Sequence, residues 1–90
     1  MAKTTNYDRE PWENLANAVV HKAFDDYVSA LKMIKRYQYP MDEIEKNKLL
    51  HYKSEAESCE KFFKSKRFKL FTSVSGEFLI NEAKKKVYNT

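Results

Sequence analysis

The sequence predicts an all-α fold, a long antiparallel helical hairpin capped by one or two short C-terminal helices. Three observations predict it. The chain has one glycine and two prolines in 90 residues, so breaks are few and elements long. The strong helix formers Lys, Glu, Ala and Leu are abundant. Apolar residues recur at steps of three and four along most of the chain, the period of one helix face.

The first helix is expected over residues 10–37. Trp12, Leu15/Ala16, Val19/Val20, Ala23/Phe24, Tyr27/Val28, Leu31, Ile34 and Tyr37 share a face there. Asp8 suits a cap at its start, Glu10 and Glu13 complement the positive end of the helix dipole, and Pro11 fits a first turn. Lys32, Lys35 and Arg36 suit its C-terminal end. At 1.5 Å per residue the helix is roughly 40 Å long. Pro40 disfavours a helical Tyr39 and breaks the chain.

A second helix is expected over 42–64, opening near Asp42. Met41, Ile44, Leu49, Tyr52, Ala56, Cys59 and Phe63 lie on one side of it. Positions 49, 52, 56, 59 and 63 alternate by three and four, the seam of an antiparallel hairpin or coiled coil. The intervening positions are mostly Lys and Glu, a solvated face. Ser65 either ends this helix or caps a short one over 66–71 that holds Phe68, Leu70 and Phe71. The turn residues "TSVSGE" follow, with Ser73 or Ser75 as the cap of a last helix over 76–88. Its apolar face is Phe78, Leu79, Ala83 and Val87. "KLFTSV" has the composition of a strand, but a lone strand would have no partner.

Ninety residues bound the answer at one domain with a thin core. A chain 42% hydrophobic and 14% aromatic folds rather than staying disordered. The single cysteine, Cys59, excludes an internal disulfide. No apolar run reaches membrane-span length and the N-terminus lacks an apolar signal core, so a cytoplasmic protein is expected, with no membrane partner. Net charge is +4. It is unevenly spread: residues 1–30 carry −2, residues 31–60 balance, and residues 61–90 carry +6.

Two stretches are candidates for binding. "CEKFFKSKRFKLF", residues 59–71, sets Lys61, Lys64, Lys66, Arg67 and Lys69 among four phenylalanines. The lysines and arginine suit phosphates and an exposed Phe68 suits stacking on an unpaired base, with Lys84, Lys85 and Lys86 adding charge. The same pattern also describes a helix that buries its rings and solvates its lysines. The second stretch, "YDREPWENLANAVVHKAFDDY", offers Tyr7, Arg9, Trp12, Asp25 and Asp26 as a protein-recognition face, since Trp, Tyr and Arg supply most interface hot spots. It equally describes a well-capped helix start.

Chemistry has less support. His21–Asp25 and His51–Glu55 have the i,i+4 spacing of metal-ligand pairs, but both lie off the expected seam, and ordinary side-chain hydrogen bonds explain them. Cys59 sits at a seam position with Glu55 close by, which opposes a reactive thiolate. There is no Gly-rich phosphate loop. No enzyme activity, metal or cofactor is expected.

Several segments carry a resemblance. Trp12, Leu15, Ala16, Asp26 and Tyr27 match a Trp/Leu-Ala opening helix with an Asp-Tyr pair. Glu60, Phe62, Phe63 and Ser65 match a Glu-x-Phe-Phe-x-Ser segment, and Gly76 to Ile80 match a Gly-Glu-aromatic-Leu-Ile ending. Together they resemble small helical proteins of phages, prophages and integrative elements of Gram-positive bacteria. Where such relatives carry acids before the Gly-Glu, this chain has Ser73 and Ser75, which suit capping. The resemblance implies a mobile-element setting and no catalytic residue. The function expected is a non-catalytic interaction protein that binds a host or phage protein, such as an inhibitor of a defence complex or nucleic-acid enzyme. The alternative is a nucleic-acid-binding regulator using the basic C-terminal third. A self-assembling homodimer is a third reading, because a thin hairpin often completes its core with a second copy.

Overall fold

The computed structural model describes the backbone of residues 11–89 and the side chains of residues 15–89. The expected contributions of Asp8, Glu10 and Glu13 to the start of the first helix lie outside the described residues. Helix α1 spans Pro11–Arg36, α2 spans Glu43–Lys64 and α3 spans Gly76–Tyr88, with a 3-10 turn at Phe68–Leu70 between α2 and α3. No strand occurs among the described residues. The sequence pattern over 66–71 therefore forms one tight turn rather than a helix.

α1 and α2 form the antiparallel hairpin. Tyr37 near the end of α1 stacks on Tyr52, ring centroids 6.4 Å apart. Further back on α1, Tyr27 donates a hydrogen bond to Glu60 Oε2 at 2.5 Å and meets the Phe63 ring edge-on at 5.7 Å. α3 packs against both helices. It runs alongside α1, with Leu79 beside Val20 and Phe24 and the Val87 carbonyl reached by Lys35. The core gathers Tyr27, Val28, Ala30 and Leu31 of α1, Ala56 and Phe63 of α2, Phe68, and Ile80, Ala83 and Val87 of α3.

Local chemistry sets the ends of the elements. Asp42 caps α2 by accepting from the Glu45 backbone N–H at 2.8 Å. The Glu45 side chain reaches back to the Met41 N–H at 3.2 Å, a reciprocal pair close to a capping box. Ser65 does both jobs its position allows: its hydroxyl donates to the Phe62 carbonyl at 2.7 Å and accepts from the Phe68 N–H at 3.2 Å. It closes α2 and opens the 3-10 turn. Of the two serines available to α3, Ser75 is the cap, accepting from the Phe78 N–H.

Three packing expectations are corrected. On α3, Phe78 is 54% exposed and Ile80 is buried, so the inward face is Leu79, Ile80, Ala83 and Val87. Helix α3 lies in the groove between two helices, and its inward stripe is set by Gly76 where it meets Phe63. On the N-terminal side of α2, Met41 is 88% and Ile44 66% exposed rather than packed. α1 ends at Arg36, so α2's first turn projects beyond it and finds no partner helix.

Candidate interaction surfaces

The phenylalanines of "CEKFFKSKRFKLF" turn inward. Phe63 and Phe68 meet edge-on at 5.4 Å, Phe62 and Phe68 at 5.5 Å, and Phe62 and Phe71 lie 6.0 Å apart. Phe68 is 1% exposed and offers no face to a base. This corrects its assignment as a stacking residue: bulky rings at the meeting point of three elements form the floor of the core. The charges go the other way. Lys61, Lys64, Lys66, Arg67 and Lys69 are all exposed, and none of them has an ion-pair partner among the described residues. Lys64 and Lys69 flank an open cavity of about 680 Å³ that continues along Thr72 to Glu77.

Lys84, Lys85 and Lys86 are also exposed, and Lys85 pairs with Glu82 at 3.4 Å. They lie at the far end of α3, near the end of α1. Two to three turns of helix separate them from Gly76, a distance of roughly 12–15 Å along the axis. The basic third of the sequence is thus two surfaces, not one.

The acidic candidates occupy another face. Asp25 and Asp26 are exposed, and Asp26 lies 3.5 Å from Lys22 Nζ. Asp26, Ser29, Ala30 and Met33 of α1 face Tyr52, Glu55, Ser58 and Cys59 of α2 across a groove of about 400 Å³ to which α3 contributes nothing. By the 3.6-residue period these α1 positions lie opposite the ones that meet α3. Burial pushes the Cys59 thiol above its ordinary pKa, and the carboxylates of Asp26, Glu55 and Glu60 push in the same direction. A nucleophile needs the reverse shift. Tyr7 and Arg9, and the side chain of Trp12, lie outside the described residues.

His21, Asp25, His51 and Glu55 are all exposed. No group of three or more candidate metal ligands forms among the described residues. His51 rests edge-on against the Tyr52 ring at 5.0 Å.

The closed end of the hairpin was not singled out by the sequence. Tyr39 is 82% exposed, as are Met41 and Ile44 at 88% and 66%, three large exposed apolar side chains within six residues. Below them the Tyr37–Tyr52 stack is flanked by cations, with Arg36 Cζ 5.6 Å and Lys48 Nζ 5.5 Å from the Tyr37 ring centroid. The cue available was positional. Apolar residues on both sides of Pro40 fall where the first helix has already stopped.

No protein-family model matches the chain, and neither does any curated protein or solved structure. Among the described residues no helix is long and apolar enough to cross a membrane.

Proposed function

We propose that the chain is a non-catalytic interaction protein of a phage or mobile element, and that it binds a host or phage protein through the tip of its hairpin. The observation that carries this reading is the exposure of Tyr39, Met41 and Ile44 together at the closed end. Large apolar side chains grouped on a surface mark interaction sites, and Tyr is among the residues that supply binding energy. The tip is one short turn joining two helices, so two copies meeting tip to tip would cover little area. A stable complex buries about 800 Å² per partner. A partner with a concave apolar site surrounds the tip and satisfies that requirement. The mobile-element setting rests on the resemblance of the Trp/Leu-Ala, Glu-x-Phe-Phe-x-Ser and Gly-Glu-aromatic segments.

The test is affinity capture from a bacterial host lysate followed by calorimetry with the purified partner. Wild-type protein is compared with Tyr39→Ala/Met41→Ala/Ile44→Ala and with Asp25→Ala/Asp26→Ala. A loss of at least tenfold in affinity, about 1.4 kcal/mol, confined to the tip variant supports the reading. Binding lost only in the Asp variant moves the interface to the acidic face of α1. If wild-type protein captures no partner that either variant releases, the reading fails.

A further inference from the structure

We infer that the end of the molecule opposite the hairpin tip is a binding surface for the phosphate backbone of double-stranded nucleic acid, made by Lys61, Lys64, Lys66, Arg67 and Lys69. This goes beyond the protein-binding reading and stands without it. Five cations fall within nine residues with no acid among them. All five side chains are exposed, and none is paired with a carboxylate among the described residues. The acids nearest in sequence are Glu60, which accepts a hydrogen bond from the Tyr27 hydroxyl, Glu57, one helical turn before Lys61 and not ion-paired with it among the described residues, and Glu77 on the first turn of α3, across the cavity from Lys64 and Lys69. Five cations against these three acids leave the cluster with net positive charge.

The cations also sit on a fixed frame. Lys61 and Lys64 project from the last turn of α2. Lys66, Arg67 and Lys69 ride on the turn that Ser65 ties down through Phe62 and Phe68. Phe68 anchors that turn in the core. A backbone held this way does not have to be ordered on binding, which lowers the entropic cost of placing several phosphate contacts at once.

The buried rings select the class of ligand. Proteins that hold single strands combine a positive groove with aromatic faces on which bases stack. Here Phe63 and Phe68 are buried, the half-buried Phe62 packs on both, and the half-buried Phe71 packs on Phe62, so none of the four rings stands fully exposed among the cations as a stacking platform. What remains is charge alone, which reads duplex phosphates without regard to sequence. Anionic lipid would also attract the cluster, but stable seating in a bilayer surface needs an apolar face. Leu70 beside Lys69 and Val74 on the wall of the cavity that Lys64 and Lys69 flank are the exposed large apolar side chains here, a small apolar area against five cations.

The experiment is fluorescence anisotropy on the full-length protein with a short labelled duplex, the corresponding single strand, and phosphatidylglycerol vesicles, from about 50 to 200 mM salt. Micromolar binding to duplex is expected at the low end, equal across sequences. The slope of log K against log salt should lie between about −3 and −4.5, near 0.9 per phosphate contact. Lys64→Ala/Arg67→Ala/Lys69→Ala should flatten that slope by about 2–3. Lys32→Ala/Lys46→Ala/Lys53→Ala removes the same charge elsewhere and should leave the slope close to wild type. The inference is overturned by an absence of duplex binding at 50 mM salt, or by equal slopes for the two triple variants. Tighter binding to the single strand or to vesicles than to duplex overturns it as well.

Discussion

A Cβ at position 76 would lie 1.9 Å from the Phe63 carbonyl oxygen and 2.7 Å from its carbon. Gly76 has no positive φ, so its role is space and not backbone freedom: it lets the start of α3 touch the backbone of α2. Helix propensity alone would make Gly76→Ala stabilising by up to about 1 kcal/mol. The clash with a backbone atom dominates, and a loss of about 1–3 kcal/mol is expected in urea unfolding. A gain would show that α3 docks elsewhere. Tyr27 makes a second residue-level test. Burial, with the hydrogen bond to Glu60 adding to it, raises the phenol's pKa well above the ordinary range. In the unfolded chain the same group ionises near pH 10. Above about pH 10 the unfolded state therefore binds fewer protons than the native state, and stability falls as pH rises. Tyr27→Phe should cost about 1 kcal/mol at neutral pH and should unfold with a shallower alkaline decline. An equally steep decline in the variant would assign the pH dependence to other groups.

At the level of elements, α3 is held by a contact from another helix at each end. Its start meets Phe63, and its last turn offers the Val87 carbonyl to Lys35 Nζ at 3.0 Å. The final carbonyls of a helix have no partners of their own, and a cation there also opposes the helix dipole. Lys35→Met keeps the stem and removes the charge. It should cost about 0.5–1.5 kcal/mol and speed amide hydrogen exchange from Lys86 to Asn89, with little change in α2. Uniform exchange across the chain would mean that Lys35 contributes only to global stability. Element boundaries were largely readable in advance because their signals are local: Asp42, Ser65, Ser75 and Pro40 act on backbone groups within a few residues. The inward face of α3 was not. Phe78 and Ile80 are equally apolar, and only the presence of two helices to one side of α3 decides which of them is buried.

Across the whole molecule, the features separate along the hairpin. The apolar tip and the basic end lie at opposite termini of α2, which at 22 residues spans about 33 Å. A protein partner on one and a duplex on the other would not collide. The carboxylates of Asp26 and Glu55 flank the groove that α3 leaves uncovered, and pairing that face with its own copy would bring like charges together. The protein should accordingly be a monomer by light scattering, with an unchanged mass up to tens of micromolar. A dimer whose formation is abolished by Met41→Ala/Ile44→Ala would reassign the tip to self-association.

Much of this architecture is written in the one-dimensional pattern. Apolar spacing, caps and scarce breakers determine three helices, their order and the hairpin seam through Tyr52, Ala56, Cys59 and Phe63, because each depends on residues within one or two turns. Tertiary packing alone decided the rest. It buried Phe68 beneath its lysines, since which side of an amphipathic turn faces inward depends on elements distant in sequence. It split the basic third into two surfaces, since α3 carries its lysines away along its axis. It left Met41 and Ile44 in solvent, since the helix that would have covered them had ended at Arg36.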